Sequence, residues 1–153
     1  MRAALFDLDG TLADTRHRRS YLPVEPQGPA DWVDYHARCR QDAPIPGPIA
    51  LARLLAAHHR IVVVSARPNV PLVRRRTEGW LARHDVPFDE LHLQPLDAPS
   101  VQEWKASVVA AVGPVALAVD DWWQNVDALV AAGVPVLHVT PPGIGRPRVE
   151  VPA

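Results

Sequence analysis

Short apolar runs that alternate with helical stretches constrain the fold of this chain more than any other feature. The clearest run, residues 61–64, is Ile-Val-Val-Val without a polar position, as expected for a strand that is covered on both faces. The predicted strands are residues 2–8, 61–64, 91–93, 115–119 and 134–139. The predicted helices between them are residues 47–59, 71–84, 101–112 and 122–132. Strands that alternate with helices in this way indicate an α/β fold, a three-layer parallel sheet with helices on both faces.

The same pattern fits one domain rather than two. We assign residues 1–140 to a single domain that contains a short helical insert at about residues 15–48, where proline and charged residues are frequent. Residues 141–153 carry proline and glycine without periodicity, so we expect an irregular C-terminal tail. A chain of 153 residues is long enough to bury a real hydrophobic core.

Charge and composition argue against several classes of function. The formal net charge is −1, which gives no bulk attraction to nucleic acid. No apolar stretch approaches the length of a membrane span, and the N-terminus shows no signal-peptide pattern, so we expect a cytoplasmic protein without membrane contact. The single cysteine, Cys39, excludes an internal disulfide and fits a reducing compartment.

The most informative motif, Asp7-Leu8-Asp9-Gly10-Thr11, lies where the first predicted strand ends. Asp7 and Asp9 should lie close together there, because side chains alternate along a strand. Two such carboxylates form a hard oxygen site for Mg²⁺, and one of them can attack phosphorus while the other handles a proton. We also place Gly10 and Thr11 among the groups that bind a substrate phosphate. An isolated Asp-x-Asp would indicate only a polar turn, since these residue types are common in turns.

Polar residues also follow two later strands. Ser65 and Arg67 come after the second predicted strand, where a hydroxyl, backbone N–H groups and a guanidinium can hold phosphate oxygens. Asp120 and Asp121 come after the fourth, and a divalent cation would relieve the repulsion and desolvation cost of such an acid pair. Because ligands of parallel sheets bind beyond the carboxyl ends of the strands, we predict one site that combines phosphate and metal.

Taken in order, these motifs resemble those of the haloacid-dehalogenase-like (HAD) phosphohydrolases, whose core is Rossmann-like. The resemblance implies that Asp7 is the nucleophile and Asp9 the general acid/base, in a two-step transfer through an aspartyl-phosphate. Ser65 matches the second motif. Lys105, the only lysine, matches the third, which neutralises the phosphate and the nucleophile. Asp9 would need a raised pKa to carry a proton near neutral pH.

The resemblance also implies a cofactor and an open site. Asp120 and Asp121 match the fourth motif, so Mg²⁺ would be held by Asp7, Asp120 and the backbone carbonyl of Asp9, with Asp121 bound directly or through water. Members of the family often carry a cap domain over the site. Residues 12–48 leave room only for a short helical insert, so we expect a HAD-like fold without a full cap, open to a bulky or polymeric substrate.

A narrower resemblance concerns residues 62–67, the arginine-rich helix after them, and the Gly-Val-Pro sequence at residues 133–135. These resemble the phosphatase domain of phage-type polynucleotide kinase–phosphatases, which removes 3′-phosphates from nucleic-acid ends. The implied substrate is a phosphomonoester at an RNA or DNA 3′ end, with Arg67 assisting phosphate binding. Two further groups of arginines then either contact the nucleic-acid backbone or form a solvated face: Arg16, Arg18 and Arg19, and Arg74, Arg75 and Arg76.

Two other functions are compatible with the residues. One is a phosphatase of free nucleotides or other small phosphomonoesters. The other is a receiver-type phospho-acceptor signalling domain, which also joins acidic residues, a Ser or Thr and a lysine on a parallel sheet. Residue order argues against the receiver, because receivers place the acceptor Asp on a middle strand and the lysine after the last one. The sequence leaves open the preference for RNA or DNA, the oligomeric state and any kinase or ligase partner.

Overall fold

The structure, a computed structural model, describes residues 1–143 and has a five-stranded parallel sheet at its centre. The strands are β1 (Ala3–Phe6), β2 (Ala13–Asp14), β3 (Ala43–Pro44), β4 (Arg60–Pro68), β5 (Glu90–Gln94), β6 (Val115–Asp120) and β7 (Val136–His138). The α-helices are α1 (Val33–Ala37), α2 (Pro46–Leu55), α3 (Pro71–Arg83), α4 (Val101–Val112) and α5 (Trp123–Ala131). The sheet order is β5-β4-β1-β6-β7, while β2 and β3 form a separate antiparallel pair.

Successive side chains of β1 belong to two different hydrophobic cores, one on each face of the sheet. Ala4 and Phe6 pack in a cluster with buried side chains of α2 and α3. Ala3 and Leu5 pack in a second cluster with buried side chains of α4 and α5. Because both faces of the strand are covered, its sequence is apolar throughout. The predicted three-layer arrangement is therefore confirmed.

The insert between β2 and α2 contains α1 and three short 3₁₀ helices, Arg16–Tyr21, Pro29–Trp32 and Cys39–Gln41. The pairing of β2 with β3 closes its base, and the Ile45 N–H donates to the Leu12 carbonyl at 2.8 Å. The indole Nε1 of Trp80 on α3 donates to the Asp42 carbonyl at 2.8 Å. These bonds fasten the insert beside the carboxyl ends of the strands, where it forms one side of the site and not a separate cap.

The largest differences from the sequence prediction concern strands β2, β3 and β4. Strand β4 continues to Pro68, because its pairing with β5 resumes after a register shift between Ser65 and Pro68. The pair β2 and β3 is two residues long on each strand, too short to leave a pattern in the sequence. The predicted tail lies outside the described residues from residue 144 onward. Within residues 1–143, no helix has the length and apolar character needed to span a membrane.

Candidate active site

Acidic residues from the two ends of the chain meet at the carboxyl edge of the sheet. Asp7 follows β1, and its N–H donates to the carbonyl of Val119 on β6 at 2.9 Å. Asp120 is the last residue of β6. Buried between them, the Lys105 ammonium donates to Asp7 Oδ1 at 2.7 Å and to Asp120 Oδ2 at 2.6 Å. The arrangement brings together three of the residues that the sequence placed in one site.

Asp120 is fixed from two further directions. The Trp122 N–H donates to its Oδ1 at 3.0 Å, and the Asn125 amide donates to the same oxygen at 3.2 Å. Gln102 in turn donates to the Asn125 side-chain carbonyl at 2.9 Å. Asn125 therefore orients Asp120.

One carboxylate oxygen from each of Asp7, Asp120 and Asp121 lies within 4.8 Å of the other two. Gly10 allows Asp121 to approach this closely: its φ is +88°, and a Cβ there would collide with the Asp121 carboxylate. The Thr11 hydroxyl donates to Asp121 Oδ1 at 3.2 Å. Three convergent carboxylates form a hard oxygen donor set that can hold a divalent cation such as Mg²⁺.

The three carboxylates of this acidic cluster carry more formal negative charge than the Lys105 ammonium can balance. Burial raises the pKa of Asp7 well above its usual value; Lys105 offsets part of the shift, and Asp120 adds to it. Burial and the neighbouring Asp120 raise the pKa of Asp121 to about 6. Burial by itself would lower the pKa of Lys105, but Asp7 and Asp120 outweigh it, so that pKa is raised and the group stays an ammonium ion. A bound divalent cation would favour ionisation of the carboxylates.

Asp9 lies apart from this cluster, in contact with two buried arginines. Arg67 donates to Asp9 Oδ2 through Nε at 3.0 Å and to Oδ1 through Nη2 at 2.6 Å. Arg18 Nη2 donates to Asp9 Oδ1 at 2.7 Å, and His36 Nδ1 lies 3.3 Å from Oδ2. Burial would raise the pKa of Asp9, but Arg67 and Arg18 outweigh it and hold the pKa well below its usual value. The expectation of a raised pKa at Asp9 is therefore wrong for this arrangement.

Asp42, in the insert, completes the network around Asp9. It accepts from Arg18 Nε at 2.8 Å and from Arg67 Nη2 at 3.1 Å. The ring Nε2 of His17 lies 2.7 Å from Asp42 Oδ1. Two carboxylates thus balance the formal charge of two guanidinium groups. Sequence reasoning missed Asp42 and His36, because no motif surrounds either residue.

Four residues that the sequence assigned to substrate contacts have internal partners in this structure. The side chains of Arg67, expected to bind the phosphate, and Arg18, expected to contact a nucleic-acid backbone, have no exposed surface and pair instead with Asp9 and Asp42. Thr11 is fully buried, with its hydroxyl directed to Asp121. The Gly10 N–H donates to the Ala13 carbonyl at 2.8 Å, so it is not free for a phosphate. In each case an internal partner occupies the group that was assigned to substrate.

The remaining predicted arginines lie at three different places. Arg16 and Arg19 are exposed and border a small depression beside Asp121, although Arg16 also pairs with Asp14. Arg74 contacts Glu78 and the Leu91 carbonyl. Arg75, Arg76 and Arg83 of α3 line a separate depression of ≈ 270 Å³ together with Arg40 of the third 3₁₀ helix. Arg76 also donates to the carbonyl of Ala37.

An open cleft of ≈ 620 Å³ leads to the catalytic candidates. Asp7, Asp9 and Ser65 line it together with residues of the insert and of α5. Ser65 is buried, and its Oγ accepts from the Arg67 N–H at 3.3 Å, which leaves the hydroxyl proton free to donate. One cleft is therefore lined by carboxylates of the acidic cluster and by a hydroxyl donor.

The model of one protein family matches residues 1–143 of the chain. Its description is "Polynucleotide kinase PNKP phosphatase domain", a HAD-type domain. The match includes every residue of the acidic cluster and of the network around Asp9. A search of curated protein sequences gives no significant match.

Solved structures share the fold. A chain of the Pnkp1/Rnl/Hen1 RNA repair complex superposes with a TM-score of 0.73 and 20% sequence identity, covering 94% of this chain and 43% of that one. A haloacid dehalogenase-like hydrolase from Streptococcus pneumoniae gives a TM-score of 0.66 and 15% identity, covering 92% and 85% of the two chains. A class C acid phosphatase from Bacillus anthracis gives 0.64 and 17%, covering 94% and 68%. The chain thus spans less than half of the length of the RNA-repair protein that it matches.

Proposed function

The chain belongs to the HAD-type family of polynucleotide kinase PNKP phosphatase domains, and from that membership we propose that it removes 3′-phosphates from polynucleotide ends in a Mg²⁺-dependent reaction. The observation that carries the proposal is the convergence of Asp7, Ser65, Lys105 and Asp120 at one sheet edge that opens to solvent. No separate cap of the described residues closes this edge, so the end of a polymer can reach it.

The proposed reaction has two balanced steps. In the first, an Asp7 oxygen attacks phosphorus, the bond from phosphorus to the 3′-oxygen breaks, and that oxygen takes a proton from Asp9. In the second, water attacks the aspartyl-phosphate and gives a proton to Asp9, so inorganic phosphate leaves and Asp7 is restored. Ser65 and Lys105 donate to the phosphoryl oxygens. A divalent cation at the acidic cluster, when bound, would neutralise the charge that builds up in the transition state.

The low pKa of Asp9 sets its protonation state at the start of each step. An ionised Asp9 is ready to take the proton of the attacking water. For the first step Asp9 must carry a proton, and the negative charge of the incoming phosphate favours that form. The two arginines hold Asp9 in place through both steps.

Exposed arginines support a polymeric substrate. Arg40, Arg75 and Arg83, which are exposed, share one depression with the half-buried Arg76, and none of the four pairs with a carboxylate of the described residues. Arg19, beside the acidic cluster, also has no such partner among residues 1–143. Unpaired guanidinium groups at the surface attract backbone phosphates, although the whole chain is close to neutral.

A panel of phosphate esters tests the function. The substrates are 3′-phosphorylated RNA and DNA oligonucleotides, their 5′-phosphorylated and 2′,3′-cyclic counterparts, and mononucleotides, each with Mg²⁺ or with EDTA. We expect the 3′-phosphorylated oligonucleotides to exceed the 5′-phosphorylated ones and the mononucleotides in kcat/KM by at least about tenfold, because contacts beyond the phosphate lower the barrier. EDTA should abolish release of inorganic phosphate.

The opposite preference would identify a different substrate. Faster turnover of mononucleotides than of oligonucleotides would contradict the proposal and favour a phosphatase of small phosphomonoesters. The cleft volume of ≈ 620 Å³ suits one nucleotide, which makes this the second candidate. A stable phosphoprotein without turnover would contradict both and favour a receiver-type domain.

Cation binding should depend on pH near 6. The pKa of Asp121 is raised to about 6, so Asp121 is ionised at pH 7 and mostly protonated at pH 5. A carboxylate that carries a proton binds a cation less well, so the affinity of the cluster for the cation must fall as the pH is lowered through this value. We expect the dissociation constant for Mg²⁺, measured by calorimetric titration, to be at least about tenfold larger at pH 5 than at pH 7. The Asp121→Asn variant should bind more weakly and show a smaller pH effect; equal affinity at both pH values would contradict the assignment.

A further inference from the structure

Two tryptophans from distant parts of the sequence line the cleft in front of the catalytic candidates. Trp32 ends the second 3₁₀ helix of the insert, and Trp122 follows the acid pair directly. Asp7 and Ser65 line the same cleft. The cleft of ≈ 620 Å³ is far larger than a phosphoryl group, so most of its space is available to the part of the substrate that carries the phosphate.

Trp32 belongs to an aromatic cluster that fixes its position. Its ring meets Tyr35 edge-on at 5.8 Å between centroids and lies at 32° to the ring of His36 at 6.0 Å. Tyr35 is buried, and the Arg18 guanidinium lies over its ring at 4.2 Å. The insert wall of the cleft is therefore anchored to the arginine that also holds Asp9.

Trp122 presents a large apolar surface to the cleft. It is 51% exposed, although its backbone N–H is bonded to Asp120 and its indole Nε1 donates to Gln124 at 3.0 Å. An indole ring used for packing would be buried. Trp123 is exposed to a similar extent, 55%, but does not line the cleft. A substitution of Trp123 is therefore a control for the same substitution of Trp122.

We propose that the part of the cleft lined by Trp32 and Trp122 is a subsite for the nucleobase of the nucleotide that carries the 3′-phosphate. The subsite rests on the proposed function and specifies its substrate as an end that bears a base. Aromatic rings stack on any base, because every base has a π face. The side-chain amides of Gln27, Gln94 and Gln102, which also line the cleft, can donate to or accept from the edges of different bases. The subsite therefore selects for the presence of a base, not for its identity.

Two substrates that differ only in the terminal base isolate the contribution of base stacking. One is a 3′-phosphorylated oligonucleotide, and the other is the same oligonucleotide with its terminal base replaced by hydrogen, so that an abasic sugar carries the phosphate. We expect the unmodified protein to prefer the end with a base by about tenfold or more in kcat/KM, since one stacked base is lost. The Trp122→Ala and Trp32→Ala variants should each lower this ratio by about fivefold or more through a higher KM for the end with a base.

Matched variants separate stacking from an effect on folding. Trp123→Ala removes an equally exposed indole outside the cleft and should keep both the rate and the ratio. Trp122→Phe retains an aromatic face and should restore most of the preference that Trp122→Ala loses. Thermal unfolding of every variant shows whether the fold is intact.

The possible results distinguish the subsite from the function on which it rests. Equal kcat/KM for ends with and without a base, together with turnover of both oligonucleotides, would overturn the subsite and leave the 3′-phosphatase in place. Turnover of 4-nitrophenyl phosphate but of neither oligonucleotide would overturn the proposed function and the subsite with it. A preference that survives both Trp122→Ala and Trp32→Ala would also overturn the subsite.

Discussion

Replacement of Asp7 by asparagine is expected to lower kcat/KM for a 3′-phosphorylated oligonucleotide by at least about 10⁴-fold. An amide does not attack phosphorus as a carboxylate does, and the change also removes one of the three acidic groups that can hold a cation. The fold should survive. Burial raises the pKa of Asp7, so the charged form is disfavoured in the folded protein, and a neutral amide of the same shape avoids that cost. Lys105 can still donate to the amide oxygen.

The comparison needs a variant with the same chemical change outside the site. Asp127 lies on the exposed face of α5, away from the cleft, and Asp127→Asn should retain the unmodified rate. The thermal unfolding midpoints of both variants should stay within a few degrees of that of the unmodified protein. A divalent-dependent rate that Asp7→Asn leaves intact would refute Asp7 as the nucleophile and, with it, the aspartyl-phosphate mechanism.

The sheet was predictable from the sequence because burial on both faces removes polar residues from its strands. Val62 and Val63, adjacent in β4, belong to opposite cores, so neither face of the strand could carry a polar side chain. The continuation of β4 to Pro68 was not predictable. Its last four residues, Ser65-Ala66-Arg67-Pro68, lack the apolar run of the preceding positions, and the chain beyond Ser65 belongs to the strand because Pro68 pairs with Gln94 of β5.

The acidic cluster was predictable for a similar reason, since parallel strands bring their carboxyl ends to one edge. Asp7 and Asp120 follow or end neighbouring strands, so their proximity follows from the sheet order. The network around Asp9 did not follow from any such rule. An arginine in a polar insert indicates a surface residue, and the acid that allows Arg18 to be buried lies 24 residues further along the chain. Only the folded insert brings Arg18 and Asp42 together.

The second large effect is expected from Asp42→Ala, which should lower the free energy of unfolding by about 3–5 kcal/mol. The Asp42 side chain has no exposed surface and bonds to Arg18 and Arg67. Its loss leaves two buried guanidinium groups with Asp9 as their remaining carboxylate partner among the described residues. In a domain of this size each kcal/mol lost lowers the unfolding midpoint by roughly 2–4 °C. Urea titration and thermal unfolding measure the two quantities.

Catalysis should change as well, because Asp42 holds the two arginines that position Asp9. We expect kcat to fall by about 10²-fold in Asp42→Ala at a temperature well below its unfolding midpoint, with little change in KM. A residue that only supported the fold would leave kcat unchanged under those conditions. Asp42→Asn keeps the shape and can still accept hydrogen bonds, so it should recover part of both losses.

An exposed ion pair provides the control for stability. Asp34→Ala removes the partner of Arg38, which directly follows α1; the two side chains are 73% and 40% exposed, so the change should alter the free energy of unfolding by at most about 1 kcal/mol. The difference in stability between Asp42→Ala and Asp34→Ala isolates the effect of burial, because both variants delete an aspartate of the insert that bonds to arginine. If Asp42→Ala proved no less stable than Asp34→Ala, the buried network would not contribute to the free energy of unfolding as predicted. If it lost stability but kept its kcat, Asp42 would support the fold without positioning Asp9.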